Sequence, residues 1–227
     1  MKVLLGISGA SGAVYGVRTG AVLTARQVDL HLIVTATAWD ILEAEIGTGY
    51  VPRPGSARRN RLRSMNLPGR KRWLAERMSV PPTVFHLYEE DDFSIPFASG
   101  SHPPDAMIIA PCSMGMLGRI AHGVSSSVLS RCADVALKER IPLVVVPREA
   151  PLSAVHLENM LTLARAGAVI LPACPGFYHR PATVAEMVDF VVSRILQQIG
   201  IDAGLTARWG EVPVPGKKGE RGSRRKA

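Results

Sequence analysis

The first sixteen residues constrain the possible folds more than any other stretch of the chain. Lys2 to Gly16 is KVLLGISGASGAVYG, in which an apolar, β-favouring run stops at small residues and a helical pattern follows. This pattern predicts a strand, a tight glycine turn and a helix N-terminus. Because a helix N-terminus has unsatisfied N–H groups and partial positive charge, the turn containing Gly9, Ser11 and Gly12 favours an anion such as a phosphate. A tight strand-to-helix turn that binds no ligand is compatible with the same residues.

The turn differs from the fingerprint of dinucleotide-binding proteins. That fingerprint has glycines spaced G-x-G-x-x-G and an acidic residue at the end of the second strand, which holds a ribose. Here the glycines are Gly6, Gly9, Gly12 and Gly16, and the second predicted strand, residues 29–35, ends in a threonine. The sequence therefore favours the phosphate of a mononucleotide over NAD.

Two later apolar runs indicate strands buried on both faces of a parallel sheet. They are AMIIA at 106–110 and LVVV at 143–146, and continuous apolar runs are typical of such strands. Ser113 follows the first run, and Arg148 and Glu149 follow the second, at the carboxyl ends of strands where open α/β sheets bind ligands.

Helical patterns alternate with the predicted strands along the chain. The predicted fold is α/β, a single domain with a doubly wound, mainly parallel sheet in a flavodoxin- or Rossmann-like three-layer sandwich. We place this domain at residues 1–210 of the 227. No apolar run reaches the roughly 18 to 20 residues of a membrane span, and the chain starts with a strand rather than a signal peptide. We therefore expect no membrane association and a cytoplasmic location.

The net charge of +8 is concentrated in two segments. Residues 53–77 contain nine lysines and arginines against one glutamate, and residues 217–226 contain six against one. We interpret residues 48–82 as a basic surface insertion and residues 211–227 as a basic, flexible tail. Since long surface loops cost little to shorten, deletion of residues 53–77 is expected to leave the ligand site formed. A nucleic-acid-binding role is the less favoured interpretation, because aromatic residues do not interleave with the basic ones.

The three cysteines lack the paired spacing of a zinc site. We interpret Cys112, Cys132 and Cys174 as reduced core residues, and predict no metal site. Cys112 lies beside the predicted ligand site, but no basic partner that would activate its thiol is evident.

Several long strings resemble the UbiX-type flavin prenyltransferases. They are GISGASGAVYG, APCS, ADVALKERIPLVVVPREAPLS, HLENMLTLARAGAVILPACPGFY and RWGE, and only the 48–82 segment and the tail fall outside the resemblance. It implies a flavodoxin-like fold that binds reduced FMN and joins to its N5 and C6 a dimethylallyl group from dimethylallyl phosphate. The implied product, prenylated FMN, serves a UbiD-type decarboxylase. The resemblance also implies a homo-oligomer, since family members form large assemblies.

The resemblance assigns roles to individual residues. The implied catalytic residues are Ser11, Glu45, Lys138 and Glu149. The implied flavin contacts are Gly9, Ala10, Ser11, Thr35, Ser113, Met114, Gly115, Met116 and Arg148. The implied contacts to the prenyl phosphate substrate are Arg131, Lys138, Tyr178, Arg194 and Trp209.

The chemistry agrees with these residue types. An allylic phosphate leaves only if its developing negative charge is stabilised, which lysine, arginine and tyrosine donors achieve without a metal. Glu45, Glu149 and the leaving phosphate are alternative proton acceptors. Three positions depart from the family pattern: Met114 and Met116 replace residues that are often polar, and Ser127 replaces an asparagine. The runner-up function is an FMN-dependent decarboxylase of the cysteine-decarboxylating type, which needs a histidine base that this sequence does not obviously supply.

Overall fold

The computed structural model describes residues 1–47 and 61–206. Within these ranges six strands alternate with eight α-helices. In chain order they are β1 Lys2–Ile7, α1 Ala13–Ala25, β2 Asp29–Val34, α2 Ala36–Ile46, α3 Arg61–Ser64, α4 Leu67–Met78, β3 Phe85–Tyr88, β4 Ala106–Cys112, α5 Met114–Ala121, α6 Val128–Lys138, β5 Leu143–Pro147, α7 Ala154–Arg165, β6 Val169–Ile170 and α8 Val184–Gln197.

The strands form one parallel sheet in the order β3-β2-β1-β4-β5-β6. This is the doubly wound order of a Rossmann fold rather than of flavodoxin. The predicted α/β class and doubly wound parallel sheet are confirmed, and the observed strand order is the Rossmann one. The order reverses between β1 and β4, so a crevice opens at the carboxyl ends of these two strands.

Two separate apolar cores cover the two faces of the sheet. Successive residues of a strand point to opposite faces, and accordingly Val3 and Leu5 belong to one core and Leu4 to the other. Helices α1, α2, α4 and α8 contribute buried side chains to the first core, and α5, α6 and α7 to the second. The predicted three-layer sandwich is therefore confirmed.

Glycine brings α1 close to the sheet. A Cβ atom at Gly16 would overlap the carbonyl oxygen of Ala110 in β4 and lie 2.8 Å from the side chain of Ile7. A side chain at this position would push α1 away from the sheet, because interiors are close-packed. Gly16 thus fixes the height of the first helix, and with it the glycine turn, above the strands.

The interpretation of residues 48–82 as a surface loop is wrong for residues 61–78. This segment forms α3 and α4, and its apolar side chains lie in the first core, with Leu62 and Leu74 fully buried. Trp73 and Met78 are also buried there. Removing α3 and most of α4 would expose apolar surface and leave a cavity in the first core. Deletion of residues 53–77 is therefore expected to destabilise the fold.

The arginines of the segment have structural partners within the chain. Arg70 donates to the backbone oxygens of Leu62 and Arg63 at 3.1 and 2.8 Å, and to the Glu89 carboxylate at 2.8 Å. Arg77 donates to the carbonyl oxygen of Ile46 at the end of α2. These guanidinium groups satisfy local acceptors, which weakens the nucleic-acid interpretation. The segment 48–60 and the 211–227 tail lie outside the described residues.

Helix α5 begins at Met114, because the Ser113 side chain accepts a hydrogen bond from Met116 N and caps the helix. A search of the described helices finds none that is both long and apolar enough to cross a membrane.

Candidate functional site

Serine side chains join the ends of β1 and β4, where the strand order reverses. Ser8 follows β1, and its hydroxyl donates to the carbonyl oxygen of Pro111 at 3.1 Å. The Ser8 hydroxyl oxygen in turn accepts from the backbone N–H of Ser113 at 2.8 Å. Since Ser113 also caps α5, this network fixes the start of that helix against the first strand. The hydroxyl groups of Ser8 and Ser113 therefore line this part of the crevice in fixed positions.

The glycine turn already has an anion at its helix N-terminus. The backbone N–H groups of Gly12 and Ala13 donate to the Glu45 carboxylate at 2.8 to 3.0 Å. The predicted anion-binding turn exists, but in this structure it binds a carboxylate of the chain itself. Arg148 lies beside it, and its Nε donates to the carbonyl oxygen of Ser11 at 2.9 Å. Three residues predicted for the site, Ser11, Glu45 and Arg148, therefore meet at the turn.

A second helix N-terminus faces the same crevice. Thr35 caps α2 by accepting from Ala38 N, and the next N–H group, that of Ala36, donates to the Glu90 carboxylate at 2.9 Å. Helices α1, α2 and α5 thus begin around one crevice. Because each helix N-terminus favours negative charge, this edge of the sheet is suited to an anionic ligand.

The crevice contains a cavity of about 340 Å³. Its described lining is rich in hydroxyl groups, with one cationic side chain, that of Arg119, and two carboxylates, those of Glu90 and Asp91. The lining residues are Ser8, Gly9, Thr35, Ala36, Thr37, Glu90, Asp91, Phe93, Ser113, Met116, Arg119, Ser126 and Ser127.

This donor set fits the sugar-alcohol phosphate of a flavin mononucleotide. Hydroxyl groups and an arginine fork are phosphate and polyol partners. A Cβ atom at Gly9 would lie 2.6 Å from the Thr37 side chain, so glycine is required for the turn to approach α2. The cavity volume lies within the range of small-molecule sites.

The structure places the predicted flavin contacts in three groups. Gly9, Thr35, Ser113 and Met116 line the cavity. Ser11 and Arg148 are at the glycine turn beside it. The remaining three do not line the cavity: Ala10 and Met114 are buried, and Gly115 is exposed on the first turn of α5.

Tyr178 and Arg194 flank a second cavity, of about 290 Å³, at the outer edge of the sheet. Arg194 on α8 lines it together with Cys174 and Phe190, and the Tyr178 ring packs edge-on against Phe190 at 5.7 Å. Arg194 also donates to Gln197 at 2.7 Å. These two predicted substrate contacts are thus brought together, but they do not line the hydroxyl-rich cavity.

Lys138 and Arg131 are not brought to either cavity within one chain. Arg131 donates to the carbonyl oxygen of Ala98 and to Asp134. Lys138 ends α6, whose carboxyl end leads into the amino end of β5, and it pairs with Glu139. Both residues are therefore separated from the glycine turn.

The last two predicted site residues are Glu149 and Trp209. Glu149 is exposed, with its carboxylate accepting from Ala150 N, directly after Arg148. Trp209 lies outside the described residues.

Six polar residues of the cavity were not singled out from the sequence: Ser8, Thr37, Glu90, Asp91, Arg119 and Ser126. Ser8 and Glu90 follow strands and Thr37 begins a helix, and these are the positions where open α/β sheets bind ligands. The position of Arg119 at the site could have been predicted from its spacing, because residues three apart on a helix are neighbours. Met116 and Arg119 follow the cap residue Ser113 at steps of three, which aligns all three residues toward the crevice.

The cysteines divide into two buried residues and one exposed residue. Burial raises the pKa of Cys112 and of Cys132 to about 12. The prediction of reduced core cysteines agrees with these two, but is wrong for Cys174, which is exposed beside Arg194. At neutral pH the buried thiols are protonated and shielded, which argues against a nucleophilic role.

We expect iodoacetamide at pH 8 to alkylate Cys174 and to leave Cys112 and Cys132 unmodified in the native protein. With a pKa near 12, only about one buried thiol in ten thousand is ionised at this pH. Peptide mass spectrometry measures the labelling, and the same protein in denaturant should react at all three positions. Rapid labelling of native Cys112 would contradict its buried, protonated state.

The profile of the family described as Flavoprotein matches residues 1–197. The sheet order, the crevice and this match define the class of the chain as a flavoprotein. The "Flavin prenyltransferase UbiX" of Pseudomonas aeruginosa is 41% identical over 210 residues, which covers 92% of this chain and 94% of that relative. The chain belongs to the UbiX family of flavoproteins, as its sequence strings predicted.

Solved structures of UbiX-type proteins are also similar to this chain. A structure described as AnUbiX (PadA1) in complex with FMN and dimethylallyl pyrophosphate has a TM-score of 0.76 and 33% identity, covering 92% of this chain and 96% of that one. A dodecameric FMN-dependent UbiX-like decarboxylase from Escherichia coli O157:H7 has a TM-score of 0.75 and 36% identity, with coverages of 92% and 99%.

Proposed function

We propose that this protein is a flavin prenyltransferase. It transfers the dimethylallyl group of dimethylallyl phosphate to N5 and C6 of reduced FMN, and a UbiD-type decarboxylase receives the prenylated FMN. The observation that carries the proposal is the hydroxyl-lined cavity with Arg119 at the β1/β4 crevice, in a chain with relatives named flavin prenyltransferase.

In this proposal the cavity holds the phosphate end of FMN. Hydroxyl groups of the lining provide donors, and Arg119 provides the positive charge. The flavin's reacting edge lies toward the glycine turn, where Ser11, Glu45 and Arg148 meet. FMN is a substrate here, so Ser11 and Arg148 hold and orient it at the turn, and Glu45 lies beside its reacting edge.

The second substrate is assigned to the region of Tyr178 and Arg194. As the carbon–oxygen bond of dimethylallyl phosphate breaks, negative charge grows on the leaving phosphate, and charged donors stabilise it. No metal is needed for this step. Glu45 and Glu149, both close to the turn, are the chain's candidates to accept the protons released from the flavin.

We also propose that the protein assembles into a homo-oligomer that completes the phosphate site. Lys138 and Arg131 are away from both cavities of their own chain, so they serve the reaction only if another copy contributes them. Exposed apolar side chains on α7 provide a surface for assembly, since large exposed apolar patches mark interaction sites. These are Val155, Leu157 and Leu161, which are 50 to 61% exposed.

The function is tested by anaerobic incubation of the protein with reduced FMN and dimethylallyl phosphate, followed by mass spectrometry of the flavin. A gain of one C5 unit supports prenyl transfer, and a parallel reaction with dimethylallyl pyrophosphate determines the preferred donor. The UbiX-like decarboxylase name of one structural neighbour motivates a second assay, for direct decarboxylation of an acid with unmodified FMN. Carbon dioxide release without flavin modification would overturn the proposal.

We expect Arg119→Gln to weaken FMN binding about ten- to a hundredfold and to leave riboflavin binding nearly unchanged. Glutamine keeps much of the side-chain volume but loses the charge-assisted hydrogen bonds to a phosphate, each worth about 1.5 to 3 kcal/mol. Riboflavin lacks the phosphate, so it separates a lost phosphate contact from a damaged cavity. Fluorescence quenching of the two flavins gives both affinities.

Arg165→Gln is the matched control for this measurement. Arg165 is an exposed arginine in the last turn of α7 and does not line the cavity. Its variant should bind FMN as the parent does. An equal loss of FMN and riboflavin in Arg119→Gln would refute the phosphate role of Arg119.

A further inference from the structure

Three side chains with metal-ligating atoms lie together near the amino ends of β2 and β3. Asp29 begins β2, His31 is two residues further along it, and His86 of β3 is the registered partner of His31. Because alternate residues share a face of the sheet, all three point to the same side. Asp29 Oδ1 is 3.1 Å from His31 Nε2 and 3.8 Å from His86 Nε2, and the three candidate ligand atoms lie within 4.8 Å of one another.

These separations are close to those around a bound zinc ion. Zinc takes imidazole nitrogen and carboxylate oxygen ligands at about 2.0 to 2.2 Å in a tetrahedron, which places neighbouring ligand atoms about 3.3 Å apart. The His86 side chain is 59% exposed. Its ring can therefore turn inward to bring Nε2 to a shared ion without disturbing the core.

His31 is held in the orientation of a ligand. Its side chain is only 8% exposed, its Nδ1 is 2.8 Å from the Tyr88 hydroxyl, and the Phe97 ring packs edge-on against it. Its Nε2 is buried and makes no hydrogen bond with the part of the chain that the structure describes, despite the short distance to Asp29. Metal-binding histidines commonly use one ring nitrogen for the ion and the other for such a supporting partner. Tyr88 fits that supporting role.

We infer that Asp29, His31 and His86 form a binding site for a divalent transition-metal ion of the zinc type. Two imidazoles and a carboxylate suit zinc better than magnesium or calcium, which prefer oxygen ligands. The site begins at the amino end of β2, whereas the flavin cavity lies beyond its carboxyl end, about 15 to 20 Å away along six residues of strand. The ion has no part in prenyl transfer. Its effect is to tie the short edge strand β3 to β2.

The test is zinc binding by the full chain without a histidine tag, measured by competition with a chromophoric chelator. We expect one Zn²⁺ per chain, and at least tenfold weaker binding in His86→Asn and in Asp29→Asn. Tyr88→Phe, which removes only the supporting hydroxyl, should weaken binding about tenfold. Zinc should raise the melting temperature of the parent and not that of His86→Asn, because a ligand that binds only the folded state stabilises it.

Two controls identify the ligands. His102→Asn removes another exposed histidine, and Cys174→Ser removes the exposed thiol, and both should bind zinc as the parent does. FMN affinity of His86→Asn should equal that of the parent, which verifies an intact fold. Equal zinc affinity in the parent and His86→Asn, or loss of zinc in Cys174→Ser alone, would overturn the inference. Either result is independent of whether the protein transfers a prenyl group.

Discussion

Replacement of Leu74 with alanine is expected to lower the free energy of unfolding by about 2 to 5 kcal/mol. Leu74 is fully buried in the core between α4 and the sheet, and alanine would leave a cavity there. Denaturant unfolding followed by circular dichroism measures the change. Protein concentration must be fixed, since oligomerisation adds to the apparent stability.

Arg72→Ala is the control for this prediction. Arg72 is two residues away on the same helix, and its side chain is exposed. Its loss should change the unfolding free energy by less than about 0.5 kcal/mol. If Leu74→Ala were as stable as Arg72→Ala, α4 would contribute little to the core, and the surface-loop interpretation of the basic segment would regain support.

Arg194→Ala is expected to keep FMN binding and the overall fold, and to lower prenyl transfer about ten- to a hundredfold at low dimethylallyl phosphate. The variant removes the charge-assisted hydrogen bond that we propose Arg194 makes to the substrate phosphate, worth about 1.5 to 3 kcal/mol. Excess dimethylallyl phosphate should restore part of the rate, because the defect is in substrate binding. Arg194→Lys should recover only part of it, since an ammonium lacks the planar fork of arginine.

Gln197→Ala is the control for this prediction, because it removes a hydrogen-bond partner of Arg194 and leaves the charge of Arg194 in place. Gln197 accepts a hydrogen bond from Arg194 Nη1 at 2.7 Å and is itself exposed on α8. We expect this variant to transfer the prenyl group nearly as the parent does, because the guanidinium charge remains. Loss of FMN binding in Arg194→Ala, or an unchanged rate at low substrate, would refute the phosphate role of Arg194.

The sequence was most informative where function depends on short stretches of chain. The glycine turn, the buried strands and the hydroxyl at Ser113 are each encoded by neighbouring residues, since strand and turn preferences act over a few positions. The long strings around Arg148 and Tyr178 are specific enough to identify the family from the sequence alone. Their assigned roles in binding remain predictions.

The basic segment shows where local composition misleads. Residues 61–78 contain many arginines, yet Arg70 and Arg77 extend to backbone oxygens and to Glu89, while Leu62 and Leu74 fill the core. Long charged side chains can lie over apolar surface and keep their charged ends at polar partners. A count of charges therefore could not distinguish a packed helix from a solvated loop.

By itself, the sequence determined the α/β class, the positions of the strands and the placement of the candidate ligand site after their carboxyl ends. Only the tertiary structure decided the strand order, the buried role of α4 and the contact of Glu45 with the N-terminus of α1, 32 residues away in sequence. It also decided that Arg119 faces the cavity and that Lys138 does not. The physical reason is that secondary structure follows from neighbouring residues, whereas these contacts join distant segments and depend on how the elements pack.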